Sequence, residues 1–471
     1  MGALLDSPVF WSVSAALVAT VIYLGIRFRL NRIHAGGSIN SHEDDPYGGV
    51  QPRAIFGDSE EISLGERELL GEVFSELLSE LCSGDDGLSD DEKHAIYSLL
   101  RDDLLLDSLL VQEMESAIQG EADRGASADE ILSSFSAHQD LVRSNKVKIL
   151  EGLLRVAYSD GTFDKPEVEF IHEVCEWFGI SESDFSSYKT RYEVERLVLR
   201  LLNAITRLPE SDVMKEGQRR LTALLETVHS PFLITVLGEF SAGKSSFLNA
   251  LVKKRLLAMK VRPTTATITK LHYGTSSKLE VMYNSGEEKS FDRGDLHSLT
   301  VEQFVDEDKI LDDIHYVSLE VEDEILRTID FADTPGFNSS NAQHTEITTQ
   351  FIAYSDAIIW LFDANQMAKK STFDLIETHC KYQKPIGIIN KVDQIDEDEI
   401  EIIDELKADL MPHTLATFPV SAKNALSPQA SECQNAGMDA VREYLRSNVI
   451  PNASSQKTQV LLAKLMDIVL A

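Results

Sequence analysis

The chain has 471 residues, 43% of them hydrophobic and 26% charged, and a formal charge of −34. That length exceeds what one hydrophobic core normally fills, so several domains are expected. The charge excludes a nucleic-acid backbone or a broad anionic lipid surface as partner, since either would be repelled. The four cysteines, Cys82, Cys175, Cys380 and Cys433, stand far apart, with no CxxC and no histidine at metal spacing. Such usage describes ordinary thiols in a reducing compartment.

Val9 to Ile26 is an uncharged, largely apolar stretch of 18 residues, with Asp6 before it and Arg27, Arg29 and Arg32 after it. One helix of that length just spans a bilayer, and the basic flank places everything after it in the cytoplasm. A cleaved signal peptide would carry its charges ahead of the apolar run; a buried core helix is the remaining alternative. The predicted organisation therefore begins with a single-pass anchor in the cell membrane over 1–32. A flexible linker follows over 33–59, where Gly36, Gly37, Ser38, Ser41, Pro46, Gly48, Gly49 and Pro52 supply loop chemistry.

From Glu60 to about Lys189 the periodicity is helical throughout. It contains a weak internal repeat, in which Asp85, Leu88, Glu92 and Ile96 recur 75 residues later as Asp160, Phe163, Glu167 and Ile171. In each copy an apolar helix ends in an acidic turn near a glycine, Gly87 or Gly161, and a new helix opens with its glutamate near the N-terminus. The run from Val156 to Asp164, with Glu167, resembles the tellurite-resistance TerB-like helical domains. That resemblance implies an all-helical bundle over 60–192 and an acidic site for a second divalent cation, with Asp85, Glu92, Asp160 and Glu167 as candidate ligands. The alternative is that these carboxylates cap helices near their positive dipole ends. Glu193 to Val228 is helical apart from a break around Pro209 and forms a connector over 193–230.

The apolar run Phe232 to Leu237 reads as a buried strand, and it feeds GEFSAGKSS, Gly238 to Ser246, which opens the helical pattern of Phe247, Leu248, Ala250 and Leu251. Strand, glycine-rich turn and helix make the context of a P-loop. The turn of Gly238, Glu239, Phe240, Ser241, Ala242, Gly243, Lys244, Ser245 and Ser246 can wrap phosphates with inward amides, aided by the helix N-terminus. Lys244 supplies the cation for the β- and γ-phosphates, and Ser245 a hydroxyl for Mg²⁺.

Arg262, Pro263, Thr264, Thr265 and Ala266 precede the strand Thr267 to Tyr273. One threonine hydroxyl should complete the Mg²⁺ shell, and Thr265 is better placed relative to the strand than Thr264. After the strand Ile325 to Ala332 come Asp333, Thr334, Pro335 and Gly336. Asp333 would hold Mg²⁺ through water, and the Gly336 amide would face the γ-phosphate, a contact made with GTP and lost with GDP. His344 and Trp360, within AlaIleIleTrpLeuPheAsp, read as structural.

The strand Pro385 to Ile389 ends in Asn390, Lys391, Val392 and Asp393. A carboxylate there accepts from N1 and N2 of guanine, whereas adenine would leave it unpaired at a cost of roughly 2 kcal/mol or more. Lys391 would lie along the base and ribose, and Asn390 would tie this loop to the P-loop. Glu397 to Glu405 reads as the solvated side of an amphipathic helix. Ser421, Ala422 and Lys423, after the strand Thr417 to Val420, add a backbone that can reach guanine O6.

GEFSAGKSSFLNAL, RPTTATITKLHYG, DTPGF and NKVD together resemble the dynamin-like GTPases, especially the prokaryotic branch, from about Glu195 to the C-terminus. The resemblance implies an α/β P-loop GTPase domain with a mostly parallel sheet over 231–450. It also implies GTP hydrolysis stimulated when two G domains pair face to face as a homodimer. Ser241 would be the catalytic serine, beside Lys244, Thr265 and Gly336. Phe240 stands where many members carry glutamine, and Gly336 is followed by Phe337 and Asn338 rather than a water-positioning glutamine, so slow basal turnover is expected. In this family, helices from both flanks of the G domain form a hinge bundle. The connector and a C-terminal helix over 451–471, with Val460, Leu461, Leu465, Ile468 and Val469 at helical spacing, are its candidates. The chain stops at Ala471 without the long stalk and tip of large members, which leaves attachment to the N-terminal helix. The expectation is a membrane-anchored dynamin-like GTPase that couples nucleotide state to membrane-associated assembly. Its rival is a GTP-dependent switch or scaffold whose helical domain engages a protein partner. A ribosome-associated GTPase would bring a basic RNA-binding appendage, which the sequence lacks.

Overall fold

A computed structural model of the chain describes residues 62–82, 88–120, 125–159, 165–206, 211–239, 241–257, 268–275, 278–283, 288–292, 314–337, 348–349, 351–366, 370–395, 401–427 and 432–470. The apolar segment 9–26, the linker 33–59, Asp85, Asp160, Phe240, Thr264, Thr265 and His344 lie outside the described residues. Among the described residues no helix is long and apolar enough to cross a membrane.

The N-terminal part is all helical, with α1 (Leu64–Leu81), α2 (Asp90–Ser98) and a π-helical turn (Leu99–Asp103), then α3 (Ser108–Gly120), α4 (Ala128–Ser134), α5 (Gln139–Ser144), α6 (Lys146–Ala157) and α7 (Lys165–Phe178). Ser63, Ser89 and Ser127 start α1, α2 and α4 with capping boxes, in which Glu66, Glu92 and Glu130 reach back to the serine amide. The apolar stripes close on one core that includes Phe74, Leu77, Leu99, Leu153 and Ile171. A Cβ at Gly152 would enter the Phe74 ring, so the close crossing of α6 over α1 needs glycine there. Two long helices follow, α8 (Glu182–Thr206) and α9 (Asp212–Val228).

The second part is built on a sheet whose described strands are β1 (Phe232–Gly238), β2 (Ile268–Tyr273), β3 (Lys278–Tyr283), β4 (Glu288–Asp292), β5 (Ile314–Val321), β6 (Ile329–Asp333), β7 (Ala357–Asp363), β8 (Ile386–Asn390) and β9 (Thr417–Pro419). Their order is β4-β3-β5-β2-β6-β1-β7-β8-β9. β1 runs parallel to β6 and β7, β8 parallel to β7 and β9, and β2 parallel to β5. Among the described strands, antiparallel pairs occur only toward the β4 edge, at β2 with β6 and at β3 with β4 and β5. The sheet is thus mostly parallel. All seven residues of β1 and all five of β8 are buried, as strands covered on both faces must be.

The covering helices are α10 (Lys244–Leu251), α11 (Lys370–His379), α12 (Glu401–Leu410), the short α13 (Ala422–Ala425), α14 (Glu432–Tyr444) and α15 (Ala453–Leu470). Successive strand residues face opposite layers. Val236, Ile359 and Ile388 join Phe247, Ala422 and Val441, while Leu237, Trp360 and Ile389 join Ile376, Leu406 and Leu410. Trp360 is fully buried.

One strand boundary differs from the sequence expectation. The strand expected from Ile325 starts at Ile329, because Asp323 accepts the Ile325 amide at 3.0 Å and winds Glu324–Arg327 into a 3₁₀ turn whose Ile325 and Leu326 are buried. The domain division expected at 192 falls inside α8. Phe185 and Tyr192 of α8 belong to the helical core, whereas Val194 and Val198 pack with Leu221 and Leu224 of α9 and Leu461 and Leu465 of α15.

Candidate nucleotide site

β1, β6, β7 and β8 all point their carboxyl ends at one edge of the sheet, the place where open parallel sheets bind ligands. Val236 is level with Asp333, Gly238 with Leu361, and Asp363 with Asn390. Three of the expected motifs therefore meet there with their connecting turns.

After β1 the chain folds back on itself: Ala242 N donates to Glu239 O at 3.2 Å, and Phe247 N to Gly243 O at 2.8 Å as α10 begins. Among the described residues that follow β1 in this turn, Ser241 at φ 67° and Gly243 at φ 91° take left-handed backbone. A serine held there is a strained position of the sort that functional turns retain. Ser241 is exposed, Ala242 is buried, and Ser245 and Ser246 are half-buried on the first turn of α10. Glu239 is braced from the side, its Oε1 accepting from Thr372 Oγ1 of α11 at 3.0 Å.

Lys244 is buried and bends over the turn, donating to Gly238 O and Glu239 O, each at 3.1 Å. Burial lowers its ammonium to about 8, against the pull of Asp333. Ser245 Oγ donates to Asp333 Oδ2 at 2.5 Å. Burial pushes the Asp333 carboxyl above its ordinary range, opposed by Ser245, Lys244 and the Thr334 amide. The other oxygen of Asp333, Oδ1, is buried without a hydrogen-bond partner. A buried carboxylate with one orphaned oxygen, beside a hydroxyl and an ammonium, fits a hard divalent cation and phosphate oxygens. Thr334 Oγ1 ties the next residue to Val236 O at 2.8 Å, Gly336 is buried, and Phe337 N donates to Gly238 O at 3.2 Å.

At the end of β8, Asn390 joins two turns: Nδ2 donates to Ala242 O at 2.9 Å, and Oδ1 accepts the Ala422 amide at 3.1 Å. Lys391 has left-handed backbone, φ 68°, and its Nζ lies 2.7 Å from Asp363 Oδ2. Asp363 is held below the ordinary carboxylate range: burial opposes this, and hydrogen bonds from Lys391 and Asn365 outweigh it. Asp393 is exposed, with Oδ1 accepting from Ser421 Oγ at 2.5 Å, while Ser421 also caps α13 by accepting the Asn424 amide at 3.2 Å. Lys423 is exposed beside it. Asp363 and Asn365 were not among the residues singled out in the sequence. Their signal was position, an acidic residue closing a buried parallel strand beside the Asn390 strand.

In the helical region, Ser89 N donates to Glu92 Oε2 at 2.7 Å, so Glu92 serves as a helix cap. The Cys82 thiol is pushed up, first by burial and then by Glu92 and Glu167. Among the described residues no three His, Cys, Asp or Glu side chains are grouped to hold a metal ion.

A mostly parallel sheet whose first strand feeds a glycine-rich turn and a helix has the architecture of a P-loop domain. Residues 234–392 match the family model described as "Dynamin family", and residues 73–190 match that of "Tellurite resistance protein TerB". Residues 234–392 thus make a dynamin-family domain and residues 73–190 a TerB domain.

An uncharacterised protein encoded 3′ of xynA in a Caldicellulosiruptor species is 28% identical over 210 residues, 43% of this chain and 51% of that one. The probable transmembrane GTPase FZO-like, chloroplastic, of Arabidopsis thaliana is 28% identical over 254 residues, 52% of this chain and 25% of that one. A bacterial dynamin-like protein of Nostoc punctiforme is 30% identical over 192 residues, 38% of this chain and 27% of that one. The matched region spans about half the length of the first relative and about a quarter of the other two.

Proposed function

We propose that this chain hydrolyses GTP to GDP and phosphate with Mg²⁺ and couples its nucleotide state to membrane-associated assembly. The observation that carries this reading is Asn390, whose side chain links the phosphate turn at Ala242 to the base-side turn at Ala422. Triphosphate and base would then be gripped by one connected unit. Asp393, kept in place by Ser421, would accept from N1 and N2 of guanine, with Lys391 along the base and the backbone at Ala422 and Lys423 toward O6.

Ser245 and Asp333, with Thr265, would hold Mg²⁺, which when bound neutralises charge on the β- and γ-phosphate oxygens. Lys244 would exchange its two carbonyl partners for those phosphates. The Gly336 amide would face the γ-phosphate, and Ser241, exposed at the rim of the turn, would act at the transition state. Phe240 and Phe337 cannot orient the attacking water, so turnover should be slow in the monomer and rise per molecule with protein concentration as G domains pair. Calorimetry with Mg²⁺ tests the reading. Lys244→Ala should abolish nucleotide binding, and Asp393→Asn should weaken GTP and admit xanthosine triphosphate. Unchanged GTP affinity in the second variant, or ATP preferred by the unaltered chain, would overturn it.

Membrane attachment is supported by the apolar segment 9–26 and its basic C-terminal flank. A second reading, a GTP-dependent switch whose helical domain engages a protein partner, is favoured by α8. That helix enters the hinge bundle unbroken from the TerB core, with Tyr192 Oη donating to Glu151 O at 2.7 Å on one side and Arg191 Nη2 to Ser454 Oγ at 2.9 Å on the other. Light scattering with vesicles separates the two. Nucleotide-dependent tethering, tubulation or fusion supports the first, and its absence selects the second.

A further inference from the structure

We propose that Asp363 is a positioning residue for guanine recognition, acting through Lys391; the inference rests on the GTP reading above. Asp363 ends β7 and lies level with Asn390, the first residue of the base-side motif. Its Oδ2 takes Lys391 Nζ at 2.7 Å, with the two side chains 11% and 24% exposed. Its Oδ1 takes both the amide and the Nδ2 of Asn365, each at 3.0 Å, and the same Nδ2 donates to Gln394 Oε1 at 2.8 Å. One carboxylate thus braces the residues on both flanks of Asp393, one directly and one through Asn365. Further backbone bonds hold the strand ends together, with Ala364 N donating to Asn390 O at 2.9 Å.

The bracing is needed because Lys391 has left-handed backbone at a residue with a side chain, a conformation that persists only where its surroundings impose it. A lysine on a four-carbon stem samples many rotamers, and a charge-assisted bond to a nearly buried carboxylate selects one before ligand arrives. Lys391 would then present its stem as a flat apolar edge to the purine, with its charge already satisfied. Asp393 would remain free of the lysine, with both N1 and N2 of guanine left to it.

Calorimetry on the full chain with Mg²⁺, using GDP and ADP as probes, tests this. Asp363→Asn should weaken GDP binding about tenfold, the loss of one charge-assisted hydrogen bond. Asp363→Glu, which keeps the charge, should stay within about threefold. Since the effect runs through Lys391, adding Asp363→Asn to Lys391→Met should weaken GDP no further. A merely structural role would instead give losses that add. Unchanged GDP affinity in Asp363→Asn, or full additivity with Lys391→Met, would overturn the proposal while leaving the GTP reading intact. Failure of the unaltered chain to prefer GDP over ADP would overturn the GTP reading itself.

Discussion

Lys457 Nζ lies 2.7 Å from Asp356 Oδ2, with the lysine side chain 1% exposed and the aspartate 0%. The same carboxylate oxygen accepts the Leu233 amide at 2.9 Å, which fastens α15 to β1 and to the residue that precedes β7. Farther along α15, Lys464 donates to Ala353 O and Ser355 O, each at 2.7 Å. The bundle of α8, α9 and α15 therefore holds the stretch that follows the Asp333–Gly336 segment in the chain.

Removing one member of such a pair strands the other charge in the interior. Lys457→Met should cost about 3–5 kcal/mol, and the double variant Lys457→Met with Asp356→Asn should cost less than the two singles added. Urea unfolding of the four proteins measures this. Strict additivity would mean that the two residues are not energetically coupled.

This pair was invisible in the sequence, because its members are 101 residues apart and a lysine on an apolar helical stripe does not announce its partner. The turns that close β1, β6 and β8 could be placed from the sequence for the opposite reason. Gly238 to Ser246, Asp333 to Gly336 and Asn390 to Asp393 are local, and each closes an apolar strand with residue types that packing alone would not choose. Helical periodicity continues unchanged through α8 past the expected division at 192, and the core that the helix faces changes between Tyr192 and Val194. Asp363 was passed over because its role depends on the register of β7 against β8, which spacing along the chain does not encode.

Asp333 should trade stability for function. With its Oδ1 unpartnered and burial raising its carboxyl, the nucleotide-free protein bears a carboxyl group that water no longer solvates. Asp333→Asn keeps an acceptor for Ser245 and removes the charge. It should raise the nucleotide-free stability by about 1 kcal/mol and abolish the stabilisation that GTP with Mg²⁺ confers. Thermal melts with and without Mg²⁺ and GTP read both effects. A variant that melts lower without ligand would contradict this account of Asp333.

Gly243 is required twice over, by its φ of 91° and by its closeness to Asn390 Nδ2, on which an added Cβ would fall. Gly243→Ala should therefore cost about 2 kcal/mol from left-handed backbone and displaced packing. By pushing Asn390 away from Ala242 it should also loosen nucleotide more than tenfold. Asn390→Ala breaks the same link, so the two substitutions together should weaken nucleotide little more than either alone. Additive losses in a binding titration would show that Gly243 acts on phosphate independently of Asn390.

Lys244 and Lys464 both have ammonium groups brought down to about 8 from 10.5, burial being the largest cause in each. Between those values the unfolded chain binds more protons than the folded one, so the stability of the nucleotide-free protein should rise with pH from about 8 to 10.5. Below about 8 both groups are charged in either state and the full penalty of burying them is present. Each lysine can add at most about 1.4 kcal/mol per pH unit to the slope. Losing the proton does not undo the contact, because a neutral amine still has two N–H groups for the carbonyls of Ala353 and Ser355. Lys464→Met removes one of the two titrations, so its curve of unfolding free energy against pH should be shallower than that of the unaltered chain between pH 8 and 10. Parallel curves would place the Lys464 ammonium at its ordinary value and remove burial as the governing influence on it.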